Sequence, residues 1–236
     1  MKTERIELKD SGVLFNKERH EYWLGNRQLS GITGMLQRQL FPDEFDNVPE
    51  EAIKEAARYG TEVHESIELF DSSWINDGTQ EVLDYISLCQ ENGLVHERSE
   101  YTVTDGENWA SNIDKVYRSS DNTFSLGDIK TYGTMTSEKL EKARWQLSIY
   151  AYFFELQNKD AKVDRLFILH IRNKAKADGA FDHIKNIVPV ERIPSDICKE
   201  LLDADMRGEQ FVNPYSIPEK YREQEGYIRQ LIQTKD

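Results

Sequence analysis

Near its start the chain alternates apolar and polar positions in short runs, at 13–15, 20–24 and 26–29, broken at the turn-prone pairs Asn16-Lys17 and Gly25-Asn26. That period places successive side chains on opposite faces of a strand, so the first forty residues read as a small antiparallel unit, followed by a short helix from about Thr33. After the loop LFPDEFDNVPEE the period lengthens: Pro49 opens a helix with acids in its first turn, where the helix dipole favours them. Its apolar positions, Ile53, Ala56/Ala57, Gly60, Val63, Ile67 and Phe70, recur every three or four residues, the stripe of a helix packed on a core. A second helix spans 80–91 and stops at Asn92-Gly93.

The two-residue period then returns in ERSEYTVTD, NWASNIDKVYRS and NTFSLGDIKT, which read as three consecutive strands. The turns at Asp105-Gly106 and Ser120-Asp121-Asn122 are short enough for antiparallel hairpins. A long helix over 137–158, apolar at Leu140, Ala143, Leu147, Tyr150/Ala151 and Phe154, precedes strands at 163–172 and 183–190 and helices near 195–207 and 218–233. With no internal repeat or flexible linker, the economical reading is one α/β domain: an N-terminal hairpin and short helix (1–48), a core (49–193) and C-terminal helices (194–236).

Composition narrows the class. The 236 residues are 38% hydrophobic and 11% aromatic, too apolar for wholesale disorder despite 31% charged residues. The charged start MKTERIELKDSG and the lack of any apolar run of about 18 residues predict no membrane partner and no secretion. Two cysteines, Cys89 and Cys198, cannot build a disulfide framework, a four-cysteine zinc site or an iron-sulfur cluster, and read as small buried hydrophobes in a reducing cytosol. A net charge of -13 argues against a sequence-independent nucleic-acid coat. Residues 130–176, however, carry ten Lys and Arg against five acids, a local balance of +5 on a remainder of -18. One basic face could bind a polyanion; a solvated helix face explains such a strip equally well.

Asp128 and Lys130 in SLGDIKT are two apart on a strand, so a carboxylate and an ammonium can converge on one point. That pairing suits metal-assisted hydrolysis, the carboxylate holding a divalent cation while the lysine orients water or offsets negative charge. Pairs of this spacing are ordinarily surface charge pairs; this one sits at the end of a strand, where an exposed pair is not the obvious packing solution. A hairpin would bring Asp114 of SNIDKVY beside Asp128, and two carboxylates repel unless a cation lies between them; the plain alternative is a strand-end Asp in solvent. His64, next to Val63 and Ile67 on its helix, should face the sheet, as a core histidine bonded to backbone also would. Gly60, one turn earlier, removes a side chain where the helix could approach closely. Gln146 and Tyr150 share one helix face, though either could satisfy a core polar bond.

In order, RYGTEVHE, SNIDKV, GDIKT and WQLSIY on helix, strand, strand and helix resemble the RecB-like, Gln-x-x-x-Tyr branch of the PD-(D/E)XK nuclease superfamily over about 58–154. The resemblance implies a restriction-endonuclease-like core, a central mixed β-sheet flanked by α-helices, with an N-terminal β-hairpin extension. Carried over residue by residue, it makes His64, Asp114 and Asp128 metal ligands, with the Ile129 carbonyl as an extra one. Lys130 becomes the catalytic lysine, Gln146 and Tyr150 substrate-positioning groups, and Glu100 an auxiliary acid. Ser111 stands where family members often carry Gly, a mild departure, and the four-cysteine iron-sulfur cluster of some relatives has no ligands here. No Walker-type loop is present, so the chain resembles stand-alone phage or mobile-element exonucleases. These imply hydrolysis at free ends of linear DNA with Mg²⁺ or Mn²⁺, in the cytoplasm of a bacterial or phage-infected cell, during recombination, repair or replication. A homo-oligomer or a recombination or replication protein partner is compatible with this. The competing expectations are a structure-specific endonuclease, a non-cutting DNA- or protein-binding accessory on the same fold, and an acidic DNA mimic.

Overall fold

The computed structural model describes residues 5–215 except 18, 47, 176–178 and 180. The helix expected over 218–233, and Lys176 of the basic strip, lie outside the described residues. Along the chain run β1 (Val13–Asn16), β2 (Glu21–Leu24), β3 (Arg27–Gly31), α1 (Ile32–Leu40), α2 (Glu50–Ser73), α3 (Gln80–Glu91), β4 (His96–Thr104), β5 (Trp109–Arg118) and β6 (Thr123–Lys130). They are followed by α4 (Ser137–Gln157), β7 (Lys162–Ala175), β8 (Phe181–Val190) and α5 (Ser195–Arg207).

The eight strands form one mixed sheet in the order β1-β2-β3-β5-β6-β7-β8, with β4 paired to β5 beside this path. β4, β5 and β6 are the expected antiparallel run, whereas β6 and β7 are parallel and joined across α4. A parallel pair needs such a crossover, and the helix that supplies it covers one face of the sheet. The N-terminal runs at 13–15, 20–24 and 26–29 form the expected antiparallel unit, a hairpin extended by a third strand into a meander, and it joins the central sheet because β3 pairs in parallel with the start of β5, Ser30 against Trp109 and Gly31 against Ala110.

Helices cover both faces. On one, Ile32 and Leu36 of α1, Trp145, Leu147, Phe153 and Phe154 of α4, and Leu201 of α5 pack with Ile113, Val116, Phe124 and Leu126. On the other, Val63 and Ile67 of α2 and Tyr85 and Leu88 of α3 pack with Tyr117, Ile129, Phe167 and Leu169. Among the described residues no helix is long and apolar enough to cross a membrane.

Two helices depart from their expected stripes. Of the α2 positions only Val63 and Ile67 are buried, and Ala56 and Ala57 are exposed. The N-terminal half of α2 meets β7 through polar contacts, Glu55 with Lys174 and Tyr59 with the Asn173 N–H, and its small side chains wall a groove of about 640 Å³ with Phe41, Phe45 and Tyr132. α4 is buried almost all round through 143–154, since it lies between the sheet and α1 and α5.

The detail that opens the site is in the ladder of β5. β4 follows one edge of β5 from Ala110 to Tyr117; the other edge is shared, β3 taking Trp109 and Ala110 and β6 taking Lys115 to Arg118. Between them, 111–114 have no strand beside them on that edge. β6 leaves β5 after Gly127 but stays paired to β7 as far as Lys130 against His170. The two strands therefore splay at Asp114 and Asp128.

Candidate metal centre

Strand alternation puts Leu126, Asp128 and Lys130 on the α4 face of β6, and Ile129 on the α2/α3 face. Asp114, next after the last β5–β6 pair, lies at the fork. Its Oδ2 accepts the Ile129 N–H at 2.8 Å, so a side chain replaces the backbone acceptor that the splayed ladder no longer supplies. α2 passes over the same fork and brings His64 to it: Nε2 is 3.1 Å from the Ile129 carbonyl, and Nδ1 is 3.8 Å from Asp114 Oδ2.

A carbonyl only accepts, so Nε2 carries the proton of that bond. In the neutral ring Nδ1 then holds a lone pair directed at the carboxylates. An imidazole oriented through its far nitrogen by a backbone carbonyl is the usual support of a metal-ligating histidine. The Ile129 carbonyl, expected as a ligand itself, is thus engaged in aiming His64.

Glu100 completes the convergence. One donor atom from each of His64, Glu100 and Asp114 lies within 4.8 Å of the other two. Glu100 stands at φ +48°, in the left-handed region, and is opposite Asp114 across the β4–β5 ladder. Asn112 donates to its Oε2 at 3.5 Å. Burial, and then the charge of Asp114, push the Glu100 carboxyl above its ordinary range.

Asp128 is not in that three-residue group. Its carboxylate is 1% exposed and lies 2.7 Å from Lys130 Nζ, yet neither oxygen receives a well-directed hydrogen bond. Burial raises its pKa to about 6, against the pull of Lys130 and with a further push from Asp114. Burial works to lower the Lys130 ammonium, but the carboxylates of Asp128 and Asp114 outweigh it, so the amine is held protonated. Lys130 Nζ also reaches Gln146 Oε1 at 3.5 Å; Gln146 Nε2 donates to the Tyr150 hydroxyl at 2.6 Å, and Ser111 Oγ lies 3.4 Å from that hydroxyl. Burial raises the Tyr150 phenol, so it stays protonated.

All the expected side chains therefore meet at the fork, in two layers. His64, Glu100 and Asp114 line a cavity of about 780 Å³ together with Gln146 and Tyr150, and Asp128 and Lys130 lie behind them. Gly60 also lines it, but a Cβ there would meet Thr131 Oγ1 at 3.5 Å, an ordinary contact, so close approach does not demand glycine. The sequence reading left out Phe15, Lys17, His20 and Tyr22, which line the same cavity from the N-terminal meander. Its periodicity marks the strands but not the parallel β3–β5 pairing that carries them there.

The basic strip is not one face. Lys139 and Lys142 stand at one end of α4 and Lys159 and Lys162 at the other, about 30 Å apart along a 21-residue helix. Several of its charges are paired internally, Lys142 with Glu44, Arg172 with Asp182 and Lys174 with Glu55.

No family model and no curated protein matches this chain. Among solved structures, the crystal structure of SSO0001 is similar with a TM-score of 0.42 and 14% identity, over 80% of this chain and 80% of that one. An alkaline exonuclease (LHK-Exo) from Laribacter hongkongensis is similar with a TM-score of 0.42 and 8% identity, over 76% of this chain and 87% of that one. Likenesses this distant assign no function.

Proposed function

We propose that the protein is a divalent-metal-dependent deoxyribonuclease that hydrolyses phosphodiester bonds at the ends of linear DNA. The observation that carries this reading is the convergence at one splayed strand pair of an imidazole nitrogen, three carboxylates and a lysine.

The donor set fits a divalent cation. Asp128 holds two buried oxygens without well-directed hydrogen bonds, and His64 presents an oriented lone pair beside Glu100 and Asp114. Two or three carboxylates repel in a half-buried cleft unless positive charge lies among them, and Lys130 supplies one unit of it. His64, Glu100 and Asp114, with Asp128 behind, are the residues that would hold the ion. Mixed nitrogen and oxygen donors suit Mn²⁺ as well as Mg²⁺. Such an ion, when bound, polarises a phosphate and makes water a better nucleophile.

The chain's own groups do the rest. The side chain of Lys130 is 19% exposed and protonated, placed to meet a phosphate oxygen or to hold an attacking water. Gln146 fixes that amine from one side and the Tyr150 phenol from the other, so the Gln-x-x-x-Tyr pair orders the wall against which a strand would lie. The chain's net charge of -13 repels DNA elsewhere, and binding then depends on the metal neutralising this cleft.

Incubation with end-labelled linear DNA and covalently closed circles, in Mg²⁺, Mn²⁺ or EDTA, tests the proposal. Metal-dependent loss of linear DNA alone is the expected result. Equal cutting of closed circles would make the protein an endonuclease, and intact DNA in every metal would reduce it to a binding accessory.

A further inference from the structure

We infer that the N-terminal meander belongs to the substrate site, and that Phe15 and His20, whose rings stand nearly perpendicular, form a corner in which one unpaired nucleobase of the DNA stacks on one ring and meets the other edge-on. The inference rests on the nuclease reading and adds a substrate class to it: a single strand or a frayed end in place of an intact duplex.

Phe15, Lys17, His20 and Tyr22 line the cavity that also holds His64, Glu100 and Asp114. The three rings form a compact group. Phe15 stacks on Tyr22 with centroids 4.7 Å apart and planes at 21°, and His20 meets Phe15 edge-on at 5.3 Å and 86°. The group is anchored at one end and open at the other: Tyr22 is buried, Phe15 half-buried and His20 exposed. His20 stands at φ +54°, a left-handed conformation that glycine adopts at no steric cost, yet an imidazole occupies it.

A π-face is what every nucleobase can use, and aromatic platforms beside a backbone-tracking groove are how single strands are held without regard to sequence. Lys17 provides the charge for that backbone. It spans the mouth to Glu68 and Glu65 of α2 at 3.3 and 3.7 Å, and both pairs are exposed. Exposed pairs contribute little, so a phosphate can take the ammonium from the carboxylates. A cavity of about 780 Å³ has room for a nucleotide or two of one strand beside these rings.

The test is binding of a short single strand carrying 2-aminopurine at its end, against the same strand in a blunt duplex. It is made in Ca²⁺ and in the Lys130→Ala background, so that the DNA is not consumed. The expected result is fluorescence quenching with the single strand only, and affinity about tenfold weaker in His20→Gly, which keeps the turn and removes the ring. Phe15→Leu should weaken binding similarly and Phe15→Trp should restore it. An abasic end should cost the reference protein the same tenfold and cost His20→Gly nothing further, which loss of structure alone would not produce. If the protein binds DNA with the probe unquenched and the abasic end costs both proteins equally, the stacking corner is wrong and the nuclease reading stands. If no DNA is bound even with Lys130 in place and Ca²⁺ as the metal, both fall.

Discussion

Asp114 is shared between backbone and site: its Oδ2 accepts the Ile129 N–H while the carboxylate faces His64 and Glu100. The two duties separate by substitution. Asp114→Asn keeps an acceptor oxygen and should hold urea-unfolding stability within about 1 kcal/mol, whereas Asp114→Ala orphans a buried N–H and should lose about 1–3 kcal/mol. Equal losses would show that the bond does not hold the fork. On the opposite face of β5, the next residue, Lys115, pairs with Asp71 of α2 at 2.6 Å, the two being 2% and 5% exposed, with Ser99 and Tyr85 as further partners. Asp71→Asn strands a buried ammonium, and a loss of about 3–5 kcal/mol is expected in the same measurement; a loss under 1 kcal/mol would mean that Lys115 finds water.

At this scale the period-two spacing of Asp128 and Lys130 and the hairpin across from Asp114 were legible, because alternation alone fixes which face a strand residue takes. The nitrogen with which His64 meets the carboxylates was not legible. It depends on the Ile129 carbonyl sixty-five positions away. Nor was the turned backbone of Glu100, since left-handed φ in a non-glycine residue leaves no mark in the sequence.

Among the elements, β6 shows why the fork forms where it does. At Gly127 a Cβ would come within 2.9 Å of Phe167 and 3.1 Å of Tyr117, whose rings stack 5.6 Å apart. Glycine lets the strand lie against that pair immediately before it leaves β5. Gly127→Ala overpacks this point and should cost about 1–3 kcal/mol in urea unfolding, with reduced metal affinity as Asp128 moves. An unchanged midpoint would place the origin of the fork elsewhere.

Element boundaries agree with the hydrophobic pattern to within a few residues, α3 at 80–91 and α5 at 195–207 included. The pattern misjudged which faces are covered. The apolar stripe of α2 is buried only at Val63 and Ile67 and otherwise walls a groove, and α4, which reads as one-sided, is buried almost all round through 143–154 by α1, α5 and the strands. Periodicity reports where apolar groups lie on one element; what they meet is set by partners distant in sequence.

The molecule as a whole carries a charge of -13 and buries carboxylates at its centre, so proton and metal compete for one cleft. Asp128 is raised by burial to about 6 from an unfolded value near 4, so the folded state keeps a proton there that the unfolded chain has already lost. That contribution is fully present below about pH 4 and disappears as pH rises through about 6. Glu100, shifted in the same direction, adds to it. A divalent ion needs both groups ionised. The Tm increase given by Mn²⁺ over EDTA should therefore be small at pH 5 and grow through pH 6 to 7.5, and an increase independent of pH would remove Asp128 and Glu100 from the ion's surroundings.

The central claim is that residues from α2, β4, β5 and β6 gather at the fork to capture one class of ion. Calorimetric titration of Mn²⁺ into the protein at pH 7.5 measures this without any DNA. The account predicts a saturable site that is lost in His64→Ala and Asp114→Asn and retained in Lys130→Met, which should abolish cutting in spite of bound metal. Binding that is undiminished in His64→Ala and Asp114→Asn, or absent from the unsubstituted protein, would contradict it.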